Sequence, residues 1–117
     1  EVTMEESIKR GDVVWVDLPP CPDSHVQTRE RPAIIVQNDT GNLHSPTTIV
    51  VPVTSVIKRL DMSTHVLFEA DCLPRQSVAL CEQLITVDKG RISSVAGHLP
   101  KYIMQAVDLG IIRSVLS

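Results

Sequence analysis

Five polar residues stand beside apolar, strand-like runs of the chain: Arg31, Thr54, Ser55, Glu82 and Gln83. Arg31 precedes one such run, and Pro32 restricts the backbone next to it. A guanidinium held at a strand start offers a rigid fork of donors to phosphate oxygens. The hydroxyls of Thr54 and Ser55 can donate hydrogen bonds to a phosphate oxygen as well, or to another group of a nucleotide. These positions are therefore candidates for a phosphate-binding site.

Each candidate also has an ordinary structural interpretation, and the residues alone leave both open. Arg31 can be a surface arginine that pairs with Glu30 or another carboxylate. The hydroxyls of Thr54 and Ser55 can cap a helical turn over residues 56–59. Glu82 and Gln83 can simply form a surface turn after a strand.

The histidines give no sign of a metal centre. They are widely spaced, at His25, His44, His65 and His98, without the intervals of a zinc site. The signatures of phosphate-binding loops, dinucleotide folds, serine hydrolases and zinc proteases are missing as well. We therefore predict no cofactor and no metal. His25 is the first candidate for acid–base chemistry, because it lies in the long polar stretch 21–31, and long loops are often functional.

The elements that must position these residues are mostly strands. β-branched and apolar runs predict strands at 12–18, 33–36, 48–53, 64–68 and 77–81, with a turn at 38–42. From Pro100 onward, apolar residues recur every three or four positions and predict an amphipathic helix. Gly110 inside that helix indicates close packing, and a shorter helical turn is expected near residues 88–92. The predicted fold is mostly β (α+β): a small antiparallel β-barrel closed by a C-terminal helix.

Composition limits the functions that this fold can have. The 117 residues fit one domain, which we place at residues 8–117 after a short acidic extension at 1–7. Aromatic residues make up only 3%, which is too few for a surface that stacks many bases. The formal net charge of −3 gives no overall basic field, so a polyanionic ligand would need a local or dimeric cationic groove.

Three cysteines, Cys21, Cys72 and Cys81, form neither a C-x-x-C pair nor an even disulfide framework. We therefore expect a reducing, cytoplasmic setting. The apolar runs are strand-sized, so no signal peptide and no contact with a membrane is predicted.

Several short segments follow one another in a characteristic order: Lys9-Arg10-Gly11-Asp12-Val13, Trp15-Val16-Asp17-Leu18-Pro19-Pro20, Arg31-Pro32-Ala33-Ile34-Ile35-Val36-Gln37-Asn38-Asp39-Thr40-Gly41-Asn42, Ser45-Pro46-Thr47, Val50-Val51-Pro52-Val53-Thr54-Ser55, Thr64-His65-Val66, Ser77-Val78 to Glu82-Gln83, and Thr86-Val87-Asp88-Lys89. In this order they resemble the MazF/PemK family of toxin endoribonucleases. The resemblance extends from about residue 8 to the C-terminal end of the sequence and implies an SH3-like barrel with appended helices, the MazF/CcdB-like toxin fold.

The resemblance also implies an activity. A toxin of this kind, from a type II toxin–antitoxin system, is a metal-independent endoribonuclease (an mRNA interferase) that inhibits translation and growth. It cleaves single-stranded RNA by attack of the RNA's own 2′-hydroxyl, which leaves 2′,3′-cyclic phosphate and 5′-hydroxyl ends. The implied partners are a second copy of the chain, the RNA, and a cognate antitoxin with an acidic, disordered C-terminal segment.

Residue by residue, the resemblance implies that Arg31, Thr54 and Glu82 are catalytic. It implies substrate contacts from Ser24, His25, Gln27, Ser55 and Gln83. Two positions depart from the family pattern: Val26 stands where an acid is expected, and Leu80 stands where some relatives carry an arginine. The general base is therefore open between Glu82 and His25.

Two other classes of function compete with the ribonuclease. A related fold poisons DNA gyrase by binding it without catalysis, and an SH3-like domain can be an interaction module without activity. Arg31 and Thr54 favour the enzyme, because a gyrase-binding protein needs neither residue at those places.

Overall fold

The computed structural model describes residues 8–18, 30–57 and 59–116, and these ranges contain seven strands and two α-helices. The strands are β1 (Asp12–Asp17), β2 (Glu30–Ile35), β3 (Thr47–Thr54), β4 (His65–Phe68), β5 (Ser77–Leu80), β6 (Ile85–Asp88) and β7 (Ile92–His98). The helices are α1 (Asp39–His44) and α2 (Lys101–Val115), with single 3-10 turns at Cys81–Gln83 and Lys89–Arg91. The predicted mostly β fold with a C-terminal helix is confirmed.

One antiparallel sheet contains all seven strands. Its order is β4-β5-β3-β2-β1-β7, and β6 also pairs with β3. The eight-residue strand β3 is the longest, and it pairs with β2, β5 and β6. It therefore joins the part of the sheet that carries Arg31 to the part that carries Glu82.

The two faces of the sheet bury separate apolar clusters. The first lies under α2, where Ile103, Met104 and Val107 pack against residues such as Val13 and Val53. The second cluster lies on the opposite face and is formed by Ile8, Val14, Val16, Leu18, Ala33, Ile35, Val50, Val87 and Ile92. Strand β7 lies at one end of the strand order and β6 pairs with β3, yet both strands contribute to this second cluster. The sheet therefore curls around the cluster as in a small barrel.

Gly110 of α2 packs closely, as its place inside an amphipathic helix predicted. A Cβ atom added at Gly110 would lie 2.7 Å from the Sγ atom of Cys81. The Cys81 thiol is fully buried and donates to the carbonyl of Val107 at 3.6 Å. Burial raises its pKa to about 12, so it stays protonated and serves packing. Cys72 is also a free thiol, and Cys21 lies outside the described residues.

Three secondary-structure expectations were wrong. The stretch 38–42 is not only a turn, because helix α1 begins there and the Asn38 side chain caps it by accepting from the Gly41 N–H at 2.8 Å. Residues 56, 57 and 59 are not helical, so the described part of 56–59 does not form the helical turn that the capping alternative assumed. Strands β6 and β7 were not predicted, because their alternation is weak: residues 93–95 of β7 are all exposed. No helix of the described ranges is long and apolar enough to cross a membrane.

Candidate active site

The strand register sets Arg31 across from Thr54. Strands β2 and β3 pair Ile35 with Val50 and Ala33 with Pro52. The same register, continued by two residues, sets Arg31 opposite Thr54, where Cα atoms of paired strands are about 5 Å apart. Side chains that face each other across an antiparallel pair lie on the same face of the sheet. The guanidinium and the hydroxyl therefore share one face, at the open edge of the second cluster.

The Arg31 guanidinium is available for a ligand. The side chain is half-buried, and no hydrogen bond or ion pair of it is found within the described ranges. Glu30, the carboxylate that the alternative interpretation offered as a partner, is therefore not bonded to it. On the other side, Arg31 is paired through the backbone with Val16, which is fully buried. A rigid strand thus carries a cation whose donors have no partner among residues 8–18, 30–57 and 59–116.

Thr54 combines a structural role with a free donor. Its Oγ1 atom accepts a hydrogen bond from the N–H of Val56 at 3.1 Å. The capping interpretation is therefore correct for the oxygen, although the turn that follows is not helical. Because the oxygen is the acceptor in that bond, the hydroxyl proton is left to donate to another group. Ser55, the next residue, is exposed at the end of β3.

Glu82 lies on the same sheet but away from this pair. Thr54 pairs with Val78 of β5, and Glu82 lies four residues beyond Val78, on the order of 10 Å away. Its carboxylate instead accepts from the Thr64 hydroxyl at 3.1 Å and bonds the His65 Nε2 atom at 2.9 Å. The β2–β3 register, extended two residues beyond its last pair, thus sets Arg31 opposite Thr54, whereas the hydrogen bonds of Glu82 place it in a second polar group.

Two opposing effects set the pKa of Glu82. Desolvation by partial burial raises the pKa of this carboxyl group. The hydrogen bonds from His65, from its own backbone N–H and from Thr64 lower it, and together they outweigh the burial. The net shift of the pKa is downward, so Glu82 is a carboxylate at neutral pH.

The remaining predicted site residues have different outcomes. Gln83 follows Glu82 in the 3-10 turn and is exposed. Ser24, His25 and Gln27 lie outside the described residues. Conversely, Thr64 and His65 were not among the predicted site residues, because only the pairing of β4 with β5 brings them to Glu82. No cluster of three or more His, Cys, Asp or Glu side chains suited to a metal ion occurs within the described ranges.

Comparison with known proteins identifies the class to which this fold and site belong. Residues 9–115 match the family described as PemK-like, MazF-like toxin of type II toxin–antitoxin system. The chain belongs to this family of toxins, as the order of its sequence motifs predicted. Membership supports the toxin endoribonuclease over the gyrase-binding alternative.

A curated relative and two solved structures agree with this assignment. Endoribonuclease EndoA of Bacillus subtilis (strain 168) is 42% identical over 103 residues, which are 86% of this chain and 88% of the relative. An endoribonuclease in complex with its cognate antitoxin from Mycobacterial species has a TM-score of 0.77 at 18% identity and covers 93% of this chain and 95% of its own. A MazE-MazF structure (Form-II) from Deinococcus radiodurans has a TM-score of 0.75 at 21% identity, covering 94% and 97%. At these identities the two structures establish the shared fold.

Proposed function

We propose that this toxin cleaves single-stranded RNA by attack of the 2′-hydroxyl on the adjacent phosphate, giving 2′,3′-cyclic phosphate and 5′-hydroxyl ends. The observation that carries the proposal is the β2–β3 register, which, continued two residues beyond its last pair, sets Arg31 opposite the Thr54 hydroxyl; within the described ranges the Arg31 side chain has no partner. Intramolecular attack needs the phosphate to be held and its growing negative charge stabilised. A guanidinium and a hydroxyl donor on one rigid sheet supply both.

In this mechanism Arg31 binds the non-bridging oxygens and stabilises the pentavalent phosphate. A guanidinium keeps its proton in proteins, so Arg31 acts by charge and hydrogen bonding. Thr54 donates its hydroxyl proton to a phosphate oxygen while its own oxygen stays bonded to the Val56 N–H. Ser55 supports that contact from the end of the strand.

Proton transfer needs a further group near the 2′-hydroxyl. Glu82 of the same chain is bonded to Thr64 and His65, away from Arg31. We therefore assign the acid–base role to His25, with Ser24 and Gln27 as substrate contacts from the same segment. Glu82 and Gln83 are assigned to contacts with neighbouring nucleotides.

Homodimerisation would give an acidic chain a composite groove for RNA. We propose a homodimer in the cytoplasm with RNA bound across its seam. Sedimentation at micromolar concentration tests this, and a fully active monomer would overturn it. The proposed inhibitor is a cognate antitoxin whose acidic C-terminal segment covers the Arg31–Thr54 groove, approaching Arg31 and Arg59 together with Arg29 and Lys58, which lie outside the described residues. Arg59 is already paired with Asp61, so Arg31 is the stronger anchor for carboxylates.

The test compares arginine variants on a long single-stranded RNA. We expect Arg31→Ala to lower the cleavage rate at least about 100-fold, the usual cost of one oxyanion donor. Arg31→Lys should recover little, because a lysine lacks the planar fork. The matched control is Arg91→Ala, since Arg91 is an exposed arginine at the end of the 3-10 turn before β7 and pairs with Asp17 at 3.8 Å.

Arg31→Ala should also unfold at the same urea concentration as the parent chain, because the side chain has no partner in the described ranges. A variant that keeps more than a tenth of the activity would overturn the role of Arg31. Intact RNA together with a stalled gyrase would overturn the proposed function and support the gyrase-binding alternative.

A further inference from the structure

The polar group around Glu82 lies on the same face of the sheet as the Arg31–Thr54 pair. Thr54 is paired with Val78, and Val78 is paired with Leu67 of β4, so these three form one row across the strands. The next row on this face pairs Leu80 with His65. His65 is therefore two strands and two residues from Thr54, about 12 Å away. A strand of RNA whose phosphate is bound at Thr54 has to pass over this region if it continues toward β4.

The hydrogen bonds of the group fix its protonation. A carboxylate only accepts hydrogen bonds, so the His65 Nε2 atom that lies 2.9 Å from Glu82 carries a proton. The Nδ1 atom of His65 is buried and has no partner within the described ranges. Against desolvation by partial burial, the hydrogen bonds from His65 and Thr64 lower the pKa of Glu82, so the group presents a negatively charged acceptor at neutral pH.

The group is rigid and still offers an acceptor position. The His65 side chain is only 9% exposed and the Glu82 side chain 28% exposed, so a well-packed ring holds a carboxylate that still reaches solvent. Thr64, His65 and the Glu82 backbone N–H use three of the roughly four lone-pair positions of the carboxylate, which leaves one available within the described ranges. Leu67, next to His65 on this face, is 41% exposed and offers an apolar surface beside it.

A negative acceptor in an RNA site repels phosphate and selects N–H donors. The donors that a nucleotide offers most openly are the exocyclic amino groups of adenine, cytosine and guanine. We propose that Glu82 is a specificity-determining residue that accepts from the amino group of a base flanking the cleaved phosphate, and that His65 and Thr64 are the residues that position it. The proposal rests on the ribonuclease activity proposed above.

The experiment digests a random-sequence RNA pool with the full chain and its variants and sequences the new 5′-hydroxyl ends. We expect the parent chain to prefer an amino-bearing base at one position near the cut. In Glu82→Gln that single preference should fall about 10- to 100-fold relative to the preferences at the other positions of the site. His65→Leu should weaken the base preference at the same position. His65→Gln should restore part of that preference, because the glutamine amide can donate a hydrogen bond to Glu82 from near the Nε2 position.

A second arm uses the preferred RNA with that one base replaced by its counterpart lacking the amino group. On this RNA the kcat/KM of the parent chain should fall by the factor by which Glu82→Gln weakens the preference. Glu82→Gln itself should cleave the two RNAs equally well. Thr64→Val removes the other hydrogen bond to Glu82 and provides a second positioning variant if His65→Leu fails to fold. The matched control is His98→Leu, since His98 also bonds a carboxylate, Asp12 at 2.8 Å, but at the other end of β1.

Each outcome separates this proposal from the activity on which it rests. If the parent chain cuts no RNA, the proposed function fails. If it cuts with a preference that Glu82→Gln and the His65 variants leave unchanged, the specificity proposal alone fails. If Glu82→Gln lowers cleavage equally on every sequence, Glu82 is catalytic and the assignment is overturned. The assignment is also overturned if the position at which Glu82→Gln weakens the base preference holds uracil.

Discussion

The clearest test of the site separates the two roles of the Thr54 hydroxyl. Thr54→Val keeps the β-branched shape and removes both the acceptor for the Val56 N–H and the free donor. Thr54→Ser keeps both and removes only a methyl group. If the donor binds the phosphate in the transition state, Thr54→Val should lose about 10²- to 10³-fold in kcat, or about 3–4 kcal/mol. Thr54→Ser should stay within about tenfold of the parent chain.

The effect on stability should be much smaller than the effect on the rate. The Val56 side chain is 59% exposed, so water can replace the acceptor that its N–H loses. A solvent-exposed hydrogen bond of this kind contributes at most about 1 kcal/mol. Urea unfolding of Thr54→Val should therefore give a free energy of unfolding within about 1 kcal/mol of the parent value. A rate loss of the expected size then cannot be attributed to unfolded protein.

The assay is single-turnover cleavage of a labelled RNA with enzyme in excess, so that product release does not limit the rate. Thr40→Val is the matched control, because Thr40 is an exposed threonine of α1 beyond the far end of β2. The reasoning is refuted if Thr54→Val keeps more than a tenth of the parent rate, since the hydroxyl would then be a turn cap only. It is equally refuted if Thr54→Ser is as inactive as Thr54→Val, because shape rather than the hydroxyl would then matter.

Three further predictions concern packing, chemistry and inhibition. Gly110→Ala should lower the free energy of unfolding, measured in urea, by about 1–2 kcal/mol, because its Cβ would lie 2.7 Å from the Cys81 Sγ atom. Gly90→Ala is the control and should be neutral, because a Cβ added there meets no atom within 4 Å beyond its chain neighbours. An RNA with one 2′-deoxy residue at the cut should stay intact, and EDTA should leave the rate unchanged; loss in EDTA with rescue by a divalent ion would contradict the mechanism. A synthetic acidic antitoxin peptide should compete with a non-cleavable RNA in a binding titration, and simultaneous unperturbed binding of both would exclude occlusion of the groove.

The sequence predicted the elements that have a strong local signal. The apolar runs that became β1, β3 and β5 contain buried β-branched residues, and the 3.6-residue period of α2 ends up facing the first cluster. β7 escaped prediction because its stability comes from pairing with β1 and not from its own pattern. Five pairs, from Asp12 with His98 to Val16 with Ile92, join the two strands with two register shifts. Such pairing is a property of distant segments, which no local window contains.

The same distinction applies to the site. Arg31 and Thr54 could be predicted individually as polar residues at strand boundaries, but their opposition depends on the β2–β3 register. His65 could not be predicted as a neighbour of Glu82, because 17 positions separate them and β4 pairs with β5 to bring them together. Side-chain chemistry is local information, whereas the distance between two side chains is set by strand pairing.

The distribution of charge on the described surface bears on the proposal that a chain of net charge −3 binds RNA. Arg10, Arg59 and Arg91 each lie beside an aspartate, which reduces their attraction for RNA. Arg31 has no such partner in the described ranges, and neither has the exposed Arg75. Arg75 precedes β5 by two residues, at the end of the sheet where Val78 pairs with Thr54.

Arg31 and Arg75 thus lie toward one end of the sheet, and the Glu82 carboxylate lies toward the other. On the proposed function, the first end would attract a phosphate and the second would repel it and accept a base with an amino group. This difference in charge would give the RNA a direction on the sheet. Adding a cation at the acidic end, as in Glu82→Lys, should therefore tighten RNA binding in a filter assay while lowering sequence preference, with a steeper loss of affinity as salt rises. Weaker binding by this variant would mean that the phosphate backbone does not pass near Glu82.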